Sequence, residues 1–152
     1  MFLDIVTGEK TEILRTVCAK VTKFDKSLAK LVSDMNDTMI KAKGVGIAAP
    51  QVGVNSRVFL AVLGSTTKNP VTVPMVNPEI TYFSDDEELD EEGCLSLPKQ
   101  FAKVWRSERV TVKFQDLKGK SSQLKLSGLD ARVVQHEVDH LNGILFIDRL
   151  ED

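Results

Sequence analysis

The order of predicted elements indicates an α+β fold with antiparallel sheets packed around a central helix near the C-terminus. One further helix is predicted near the start of the chain, and a series of short alternating strands fills the middle. Helices that are separated from the strands along the sequence are typical of α+β proteins, whereas a parallel sheet needs helices that alternate with strands. The 152 residues can bury a full hydrophobic core, so we expect one domain over residues 1–152.

Composition and charge argue against several classes of function. The 20 basic and 22 acidic residues leave a formal net charge of −2, which makes nucleic acid or an anionic membrane a poor main partner. The apolar runs are too short to span a bilayer, and the N-terminus resembles neither a signal peptide nor a transit sequence. Two cysteines are too few for a disulfide framework. We therefore expect a monomer in the cytoplasm.

The N-terminal third predicts an extended segment followed by a helix. Residues 11–23 contain apolar anchors at irregular spacing, which is typical of an extended lead-in. Asp25 is a suitable N-cap for a helix that runs to about Lys43, and Gly44 is expected to end it. The apolar positions of this helix recur every three or four residues and belong in the core: Leu28, Leu31, Val32, Met35, Met39 and Ile40.

Small residues follow this helix over residues 44–53. Their glycine spacing is only weakly similar to a dinucleotide-binding loop, because no strand precedes it and Pro50 interrupts it. A run of small residues instead lets the backbone approach a ligand closely. Gln51 stands out as a polar side chain in this apolar run.

The middle of the chain predicts antiparallel strands joined by turns. The strands are expected over residues 57–63, 71–80, 104–114 and 123–126. The first two form a long hairpin, in which Pro74 and Pro78 interrupt the second strand, and residues 116–120 have hairpin-turn composition. The acidic stretch over residues 85–91 is expected to be a solvated loop.

The only two histidines of the chain lie four residues apart in the HExxH segment His136–His140. On a helix, positions i and i+4 share one face, so both imidazoles can bind one metal ion, while Glu137 can reach a water on that metal. Apolar residues at helical spacing would bury this helix, and a buried helix that presents these groups together is costly unless something binds them. A metal site is therefore favoured over a chance pair of histidines.

A hydrolytic metal site of this kind needs a third protein ligand and an open position. Little chain follows His140: Asn142 is a poor ligand, and the carboxylates Asp148, Glu151 and Asp152 fall in a tail. Cys94 is the candidate, because a metal stabilises its thiolate and Gly93 beside it leaves room for close approach.

Three motifs resemble, in order, the signatures of the peptide deformylase family. They are Gly44-Val45-Gly46-Ile47-Ala48-Ala49-Pro50-Gln51, Glu92-Gly93-Cys94-Leu95-Ser96 and Gln135-His136-Glu137-Val138-Asp139-His140. The resemblance extends from about Ile13 to Arg149. It implies a hydrolase that removes the formyl group from the N-terminal formylmethionine of newly synthesised polypeptides and releases formate.

The resemblance also implies a role for each residue of these motifs. Cys94, His136 and His140 would bind one divalent metal, natively Fe²⁺, for which Zn²⁺, Ni²⁺ or Co²⁺ can substitute; thiolate and imidazole donors suit these ions better than Mg²⁺ or Ca²⁺. Water on the metal would attack the formyl carbon, and Glu137 would serve as general base and then as general acid. The catalytic set is completed by two donors to the developing oxyanion, the Gln51 amide and the Leu95 backbone N–H.

The substrate is expected to bind as an added strand. The backbone at Gly44, Val45 and Gly46 and the strand at Glu92 and Gly93 would pair with the main chain of an N-formylmethionyl peptide. The methionine side chain would be received by Val45, Leu95, Leu129 and Val133. Gln135 and Arg106 are expected to have supporting structural roles only, and Ser96 is not expected to be a nucleophile, because the chain has no third histidine to activate it.

Three features depart from the family pattern. Phe101 stands where a basic residue is usual, which is expected to alter the substrate-entry rim. Arg132 stands where an apolar pocket residue is common and is expected to point outward or to make the rim more polar. The segment after His140 is short, which would weaken any transient ribosome contact made through a C-terminal helix.

Two rival functions remain open from the residues alone. A HExxH metallo-endopeptidase would cleave internal peptide bonds, but it leaves Cys94 and Gln51 without a role. A non-catalytic binding module would hold the metal structurally, but structural zinc sites usually have four protein ligands, and Glu137 would then be superfluous. Replacing Glu137 by alanine separates the enzyme from the binding module, because only an enzyme loses activity while it keeps its metal.

Overall fold

Seven strands and two α-helices are found in residues 1–150, which the computed structural model describes; Glu151 and Asp152, the end of the expected domain, lie outside the described residues. The helices are α1 (Lys26–Lys41) and α2 (Gly128–Leu141). The strands are β1 (Gly46–Ala48), β2 (Val58–Leu63), β3 (Val71–Phe83), β4 (Glu87–Cys94), β5 (Leu97–Ser107), β6 (Arg109–Gln115) and β7 (Ser121–Ser127). The predicted α+β class is confirmed.

The strands form two antiparallel sheets that meet at α2. One sheet has five strands in the order β1-β2-β3-β6-β7, and the other pairs β4 with β5. Helix α2 contacts strands of both sheets, and its buried Val134 and Leu141 pack with Phe59, Met75 and Val112 of the larger sheet. Because α2 is covered on both sides, its inward-facing polar residues lie in a site largely closed to solvent.

Helix α1 begins where the sequence predicts and ends slightly earlier. The Asp25 carboxylate accepts hydrogen bonds from the backbone N–H groups of Ser27 (3.1 Å) and Leu28 (3.3 Å), as an N-cap does. At the other end Lys43, not a glycine, takes the left-handed conformation (φ 58°), and the N–H of Gly44 donates to Met39 O at 3.0 Å. The apolar face of α1 is buried as expected except at Leu31, which is partly buried, and at Ile40, which is 64% exposed.

From Glu87 onward the acidic stretch is a strand, so the predicted loop was wrong for all but Asp85 and Asp86. Residues 87–94 pair along their length with β5, from Glu87 opposite Ser107 to Cys94 opposite Leu97. The acidic side chains from Glu87 to Glu91 stay exposed while the backbone is paired, and charged side chains of this kind are common on sheet edges, where they oppose aggregation. The acidic composition correctly predicted that these side chains contact solvent, but it did not predict that their backbone is hydrogen-bonded to β5.

The remaining strands differ from prediction mainly at their ends. The single strand expected over 104–114 is two strands, β5 and β6, which are separated at Glu108. The hairpin of β2 and β3 is confirmed, and β3 continues to Phe83 because a register shift between Val76 and Glu79 absorbs the irregularity around Pro78. Of the helices described in residues 1–150, none is long and apolar enough to cross a membrane.

Candidate active site

Two elements bring three metal-ligand atoms together. Helix α2 presents His136 and His140 on one face, with their Nε2 atoms 3.1 Å apart. Cys94 ends β4 at a register shift, and its Sγ lies 3.3 Å from His140 Nε2. All three ligand atoms lie within 4.8 Å of one another. A tetrahedral metal with usual bond lengths separates its N and S ligands by roughly 3.3–3.6 Å, so the three predicted ligands fit a single ion.

The protonation of the two imidazoles is set by their surroundings. Burial opposes the charge on His136, but contacts with Cys94 and Glu92 outweigh it and raise the pKa of His136 to about 10. Metal binding at neutral pH would therefore release a proton from this group. Burial lowers the pKa of His140, and its buried Nδ1 has no hydrogen-bond partner among the described residues.

A buried carboxylate orients His136. Glu92 is 7% exposed, and its Oε1 lies 2.8 Å from His136 Nδ1, which leaves Nε2 of that ring free for a metal. Arg106 binds both oxygens of Glu92, at 2.9 and 3.0 Å, and Arg132 donates to Oε2 at 2.7 Å. Burial raises the pKa of Glu92, but the hydrogen bonds from His136 and Arg106 prevail and hold it well below its usual range. Glu92 thus stays ionised beside the site.

The same network continues to the C-terminal segment. Arg106 donates to Asp139 Oδ2 at 2.6 Å, and Arg149 binds Asp139 at 2.8 and 3.1 Å. The sequence pointed to Glu92 only as a substrate-binding strand residue, whereas its side chain is an orienting group for a ligand. No local signal in the sequence pairs Glu92 with these arginines, because the partners come from other elements.

Arg132 does not point outward. It is 6% exposed and, besides Glu92, donates to the carbonyls of Val104 (2.9 Å) and Glu88 (2.8 Å). The outward orientation is wrong because Glu92 neutralises the guanidinium and the two carbonyls accept its remaining hydrogen bonds. Arg132 does line the cavity, where the alternative expectation placed it. Gln135 has the structural role expected of it: its amide bonds both the N–H and the carbonyl of Ser107, at 3.1 and 2.9 Å, and joins α2 to β5.

Glu137 is a buried carboxylate with a free oxygen. It is 4% exposed, and its Oε1 has no hydrogen-bond partner among the described residues. Burial raises the pKa of Glu137 to about 7, against the lowering effect of His136. A carboxylate with a pKa near neutral pH is well suited to accept and then return a proton. Gly46 makes room for it, since a Cβ there would lie 2.5 Å from Glu137 Oε2.

The Gln51 amide faces the ligand atoms with its nitrogen. Its Oε1 accepts a hydrogen bond from the backbone N–H of Ala48 at 2.9 Å. This contact distinguishes the amide oxygen from the amide nitrogen. Its Nε2 lies 3.6 Å from Cys94 Sγ and 3.2 Å from Ser96 Oγ. The sequence drew attention to Gln51 but did not pair it with Ser96, because the two lie on separate turns.

A cavity of about 500 Å³ opens beside these groups. It is lined by predicted residues from all three motifs and from the start of α2: Gly44, Val45, Gly46, Gln51, Glu92, Gly93, Cys94, Leu95, Leu129, Val133, His136 and Glu137. His140 is 1% exposed and lies behind the cavity. Lining residues that the sequence did not identify include Lys43, Leu97, Pro98 and Lys99, and Phe101 stands at the rim, 67% exposed.

Comparison with known proteins connects this geometry to one family. A sequence model of the polypeptide deformylase family matches residues 2–152. The chain is 46% identical to the peptide deformylase of Thermotoga neapolitana over 139 residues, which are 91% of this chain and 82% of that protein. It is 42% identical to the peptide deformylase of Picosynechococcus over 147 residues, 95% of this chain and 76% of that protein.

Solved structures of peptide deformylases share the fold. The enzyme of Thermotoga maritima superposes with a TM-score of 0.92 at 42% identity and covers 100% of this chain and 99% of its own. A class I type b peptide deformylase of Acinetobacter baumannii, solved with Met-Ala-Ser bound, superposes with a TM-score of 0.91 at 40% identity and 99% coverage of both chains.

Proposed function

The chain belongs to the peptide deformylase family, and we propose that Cys94, His136 and His140 hold the divalent metal of this enzyme. It is a metal-dependent hydrolase that removes the N-formyl group from the N-terminal formylmethionine of newly synthesised polypeptides and releases formate. One observation carries the assignment of the site: a thiolate and two imidazoles whose ligand atoms lie within 4.8 Å of one another. A buried carboxylate and a buried amide lie on the same cavity.

The family resemblance implies Fe²⁺ as the native metal, with Zn²⁺, Ni²⁺ or Co²⁺ as substitutes, and thiolate and imidazole donors suit these ions better than Mg²⁺ or Ca²⁺. When bound, such an ion would act as a Lewis acid that polarises the formyl carbonyl and makes water a stronger nucleophile. Glu92 supports this role, because its hydrogen bond to His136 Nδ1 fixes the ring orientation and makes Nε2 a better donor.

Glu137 acts as the general base and then as the general acid. Its unpaired Oε1 accepts a proton from the attacking water, and its pKa near 7 allows it to return that proton to the departing amine nitrogen. Closure of the site around this carboxylate keeps bulk water away from the proton that it carries.

Gln51 and Leu95 stabilise the charge that develops on the formyl oxygen. A neutral amide donor suits this role, because another carboxylate would repel the oxyanion. Gln51 Nε2 lies on the ligand side of the cavity, where its N–H groups face Cys94 and Ser96. Leu95 lines the same cavity directly after Cys94, and the family resemblance implies that its backbone N–H is the second donor.

The substrate peptide enters the cavity as an extended strand. The backbones at Gly44, Val45 and Gly46 on one side, and at Glu92 and Gly93 on the other, pair with its main chain. The methionine side chain contacts Leu129 and Val133 at the start of α2, together with Val45 and Leu95. The Met-Ala-Ser ligand of the Acinetobacter baumannii relative supports this class of peptide.

The enzyme works as a monomeric, single catalytic domain over residues 1–152 in the cytoplasm, where nascent chains are made. Its near-neutral charge supports this setting, since it provides no strong attraction to nucleic acid or to anionic lipid.

The test is formate release from N-formyl-Met-Ala-Ser by protein purified without oxygen and loaded with Fe²⁺ or Ni²⁺. Glu137→Ala should keep its metal and lose activity, and Cys94→Ala should lose both. Cys18→Ala removes the other free thiol, which is buried away from the cavity. This variant should keep both its metal and its activity. Metal-loaded parent protein that releases no formate, or Glu137→Ala that remains active, would reject these roles. Cleavage of internal peptide bonds without an N-formyl group would indicate an endopeptidase instead.

A further inference from the structure

We propose that the hydroxyl of Ser96 is a positioning group that holds the Gln51 amide with one N–H facing the formyl oxygen. The inference rests on the proposed function, in which Gln51 stabilises the oxyanion, and it assigns to Ser96 a role distinct from nucleophile or metal ligand. Ser96 is completely buried, and its Oγ lies 3.2 Å from Gln51 Nε2.

The Gln51 amide is held at both ends. Its oxygen accepts from Ala48 N–H at 2.9 Å, so the amide cannot flip without losing that bond. Its nitrogen carries two N–H groups: Ser96 Oγ accepts one of them, and the other faces Cys94 Sγ at 3.6 Å. Sulfur is a weak acceptor, so this second N–H can turn to a stronger acceptor, which an oxyanion would be.

A third segment sets the distance between the two side chains. The backbone N–H of Val6 donates to the Gln51 carbonyl at 2.7 Å, and the N–H of Gly8 donates to the Ser96 carbonyl at 3.0 Å. The N-terminal segment therefore ties the turn that carries Gln51 to the turn that joins β4 and β5. With both backbones anchored, the Ser96 hydroxyl limits rotation of the amide.

Loss of this hydroxyl has a defined consequence. In Ser96→Ala one Gln51 N–H is buried without an acceptor, and the amide is held through its oxygen alone, so its nitrogen is less well fixed. A donor that is aligned before the reaction needs no reorganisation when the oxyanion forms. Losing this alignment therefore weakens transition-state stabilisation and lowers kcat. We expect kcat to fall about three- to tenfold, the value of one hydrogen bond, while KM for N-formyl-Met-Ala-Ser and the metal content stay unchanged.

A double-mutant cycle tests whether Ser96 acts through Gln51. Gln51→Ala alone should reduce kcat roughly a hundredfold or more, as expected for an oxyanion donor. Adding Ser96→Ala to Gln51→Ala should then change kcat less than twofold, because the amide to be positioned is gone. Equal losses from Ser96→Ala in both backgrounds, or no loss in the parent, would overturn the proposal.

A matched control separates positioning from the general cost of losing a buried serine. Ser84 is also buried, and its Oγ donates to Asp86 O at 2.9 Å and accepts from Arg109 N at 3.0 Å, away from the cavity. Ser84→Ala should lower the thermal unfolding midpoint about as much as Ser96→Ala and leave kcat unchanged. If Ser96→Ala does not fold, Ser96→Cys keeps the shape of the side chain with a larger and weaker acceptor, and its kcat should still fall while that of Ser84→Cys does not.

One readout is independent of turnover. In Zn²⁺-loaded protein, whose metal is diamagnetic, the NMR order parameter of the Gln51 side-chain NH₂ group should fall in Ser96→Ala and remain at the parent value in Ser84→Ala. An unchanged order parameter would overturn the proposal even if kcat fell. A parent enzyme that binds metal without releasing formate would reject the proposed function, whereas this measurement would still decide whether Ser96 holds Gln51.

Discussion

At Gly46, a single added methyl group should displace the catalytic base Glu137 and leave the rest of the fold unchanged. A Cβ on Gly46 would lie 2.5 Å from Glu137 Oε2 and 3.0 Å from its Cδ. Gly46 lies in strand β1 and is not among the glycines with positive φ, so alanine fits its backbone. The three atoms nearest to that Cβ all belong to the Glu137 side chain, so Gly46→Ala acts first on the position of this carboxylate.

The size of the effect follows from that contact. To reach an ordinary separation of 3.4 Å, the carboxylate oxygen must withdraw by about 0.9 Å. A displacement of about 1 Å at a reacting group costs roughly a hundredfold in rate, which is about 2.7 kcal/mol in the activation free energy. Stability should not fall, because replacing glycine by alanine in an allowed conformation stabilises a protein by about 0.4–1 kcal/mol through the unfolded chain.

The assay is steady-state formate release from N-formyl-Met-Ala-Ser, with metal content and thermal unfolding measured on the same samples. Gly46→Ala should lower kcat roughly a hundredfold, with full metal content and an unfolding midpoint no lower than that of the parent. Gly44→Ala is the comparison: its Cβ would meet Leu95 Cδ1 at 3.0 Å, so it should act on KM through the pocket. A folded Gly46→Ala enzyme with kcat within threefold of the parent would refute the reasoning.

Three further predictions concern the orienting carboxylate, the rim and a surface ion pair. Glu92→Gln should weaken metal binding about 10- to 100-fold, because it replaces the ionised partner of His136; chelator competition measures this, and unchanged affinity would contradict it. Phe101→Ala should lower kcat/KM about two- to tenfold for N-formyl-Met-Ala-Phe but not for N-formyl-Met-Ala-Ser, because the exposed ring at the rim can pack on an aromatic side chain; equal effects on both peptides would exclude this contact. Burial raises the pKa of Asp148, but the hydrogen bond from Arg15 outweighs it and the pKa is lowered overall. The stabilisation from this pair is therefore fully present above the unfolded pKa of about 3.9 and is lost as pH falls from there through the lowered folded-state pKa. Urea unfolding should show Asp148→Asn less stable than the parent at pH 7, with a difference that shrinks steadily as pH falls below about 3.9, and a difference that stays constant or grows over that range would contradict the assignment.

Much of the local structure could be predicted because it depends on neighbours in the chain. The N-cap at Asp25 and the apolar periodicity of α1 and α2 need only residues within one or two turns. The i, i+4 spacing placed His136 and His140 on one helix face before any packing was known. The wrong predictions also have local causes. The acidic side chains of β4 are typical of a solvated loop, although they lie on a strand. Ile40 shares the helical spacing of the buried residues, although it faces solvent.

Family resemblance extended the prediction to residues that are distant in sequence. Cys94 lies 46 residues before His140, and no spacing rule connects a strand end to a helix across that interval. The motif suggested the pairing, and the register of β4 against β5, with its shift at Cys94, brings the thiolate to α2.

By itself the sequence determined the α+β class, the two helices, the pair of imidazoles on α2 and the residue types needed for hydrolysis. Only the tertiary structure decided that the Glu92 side chain orients His136, that Arg132 is buried among acceptors, and that Ser96 contacts Gln51. Backbone geometry fixes the relation between residues within a few positions of each other, whatever surrounds them. A contact between separate elements depends instead on strand register, turn geometry and the need of each buried polar group for a partner, which the whole chain satisfies together.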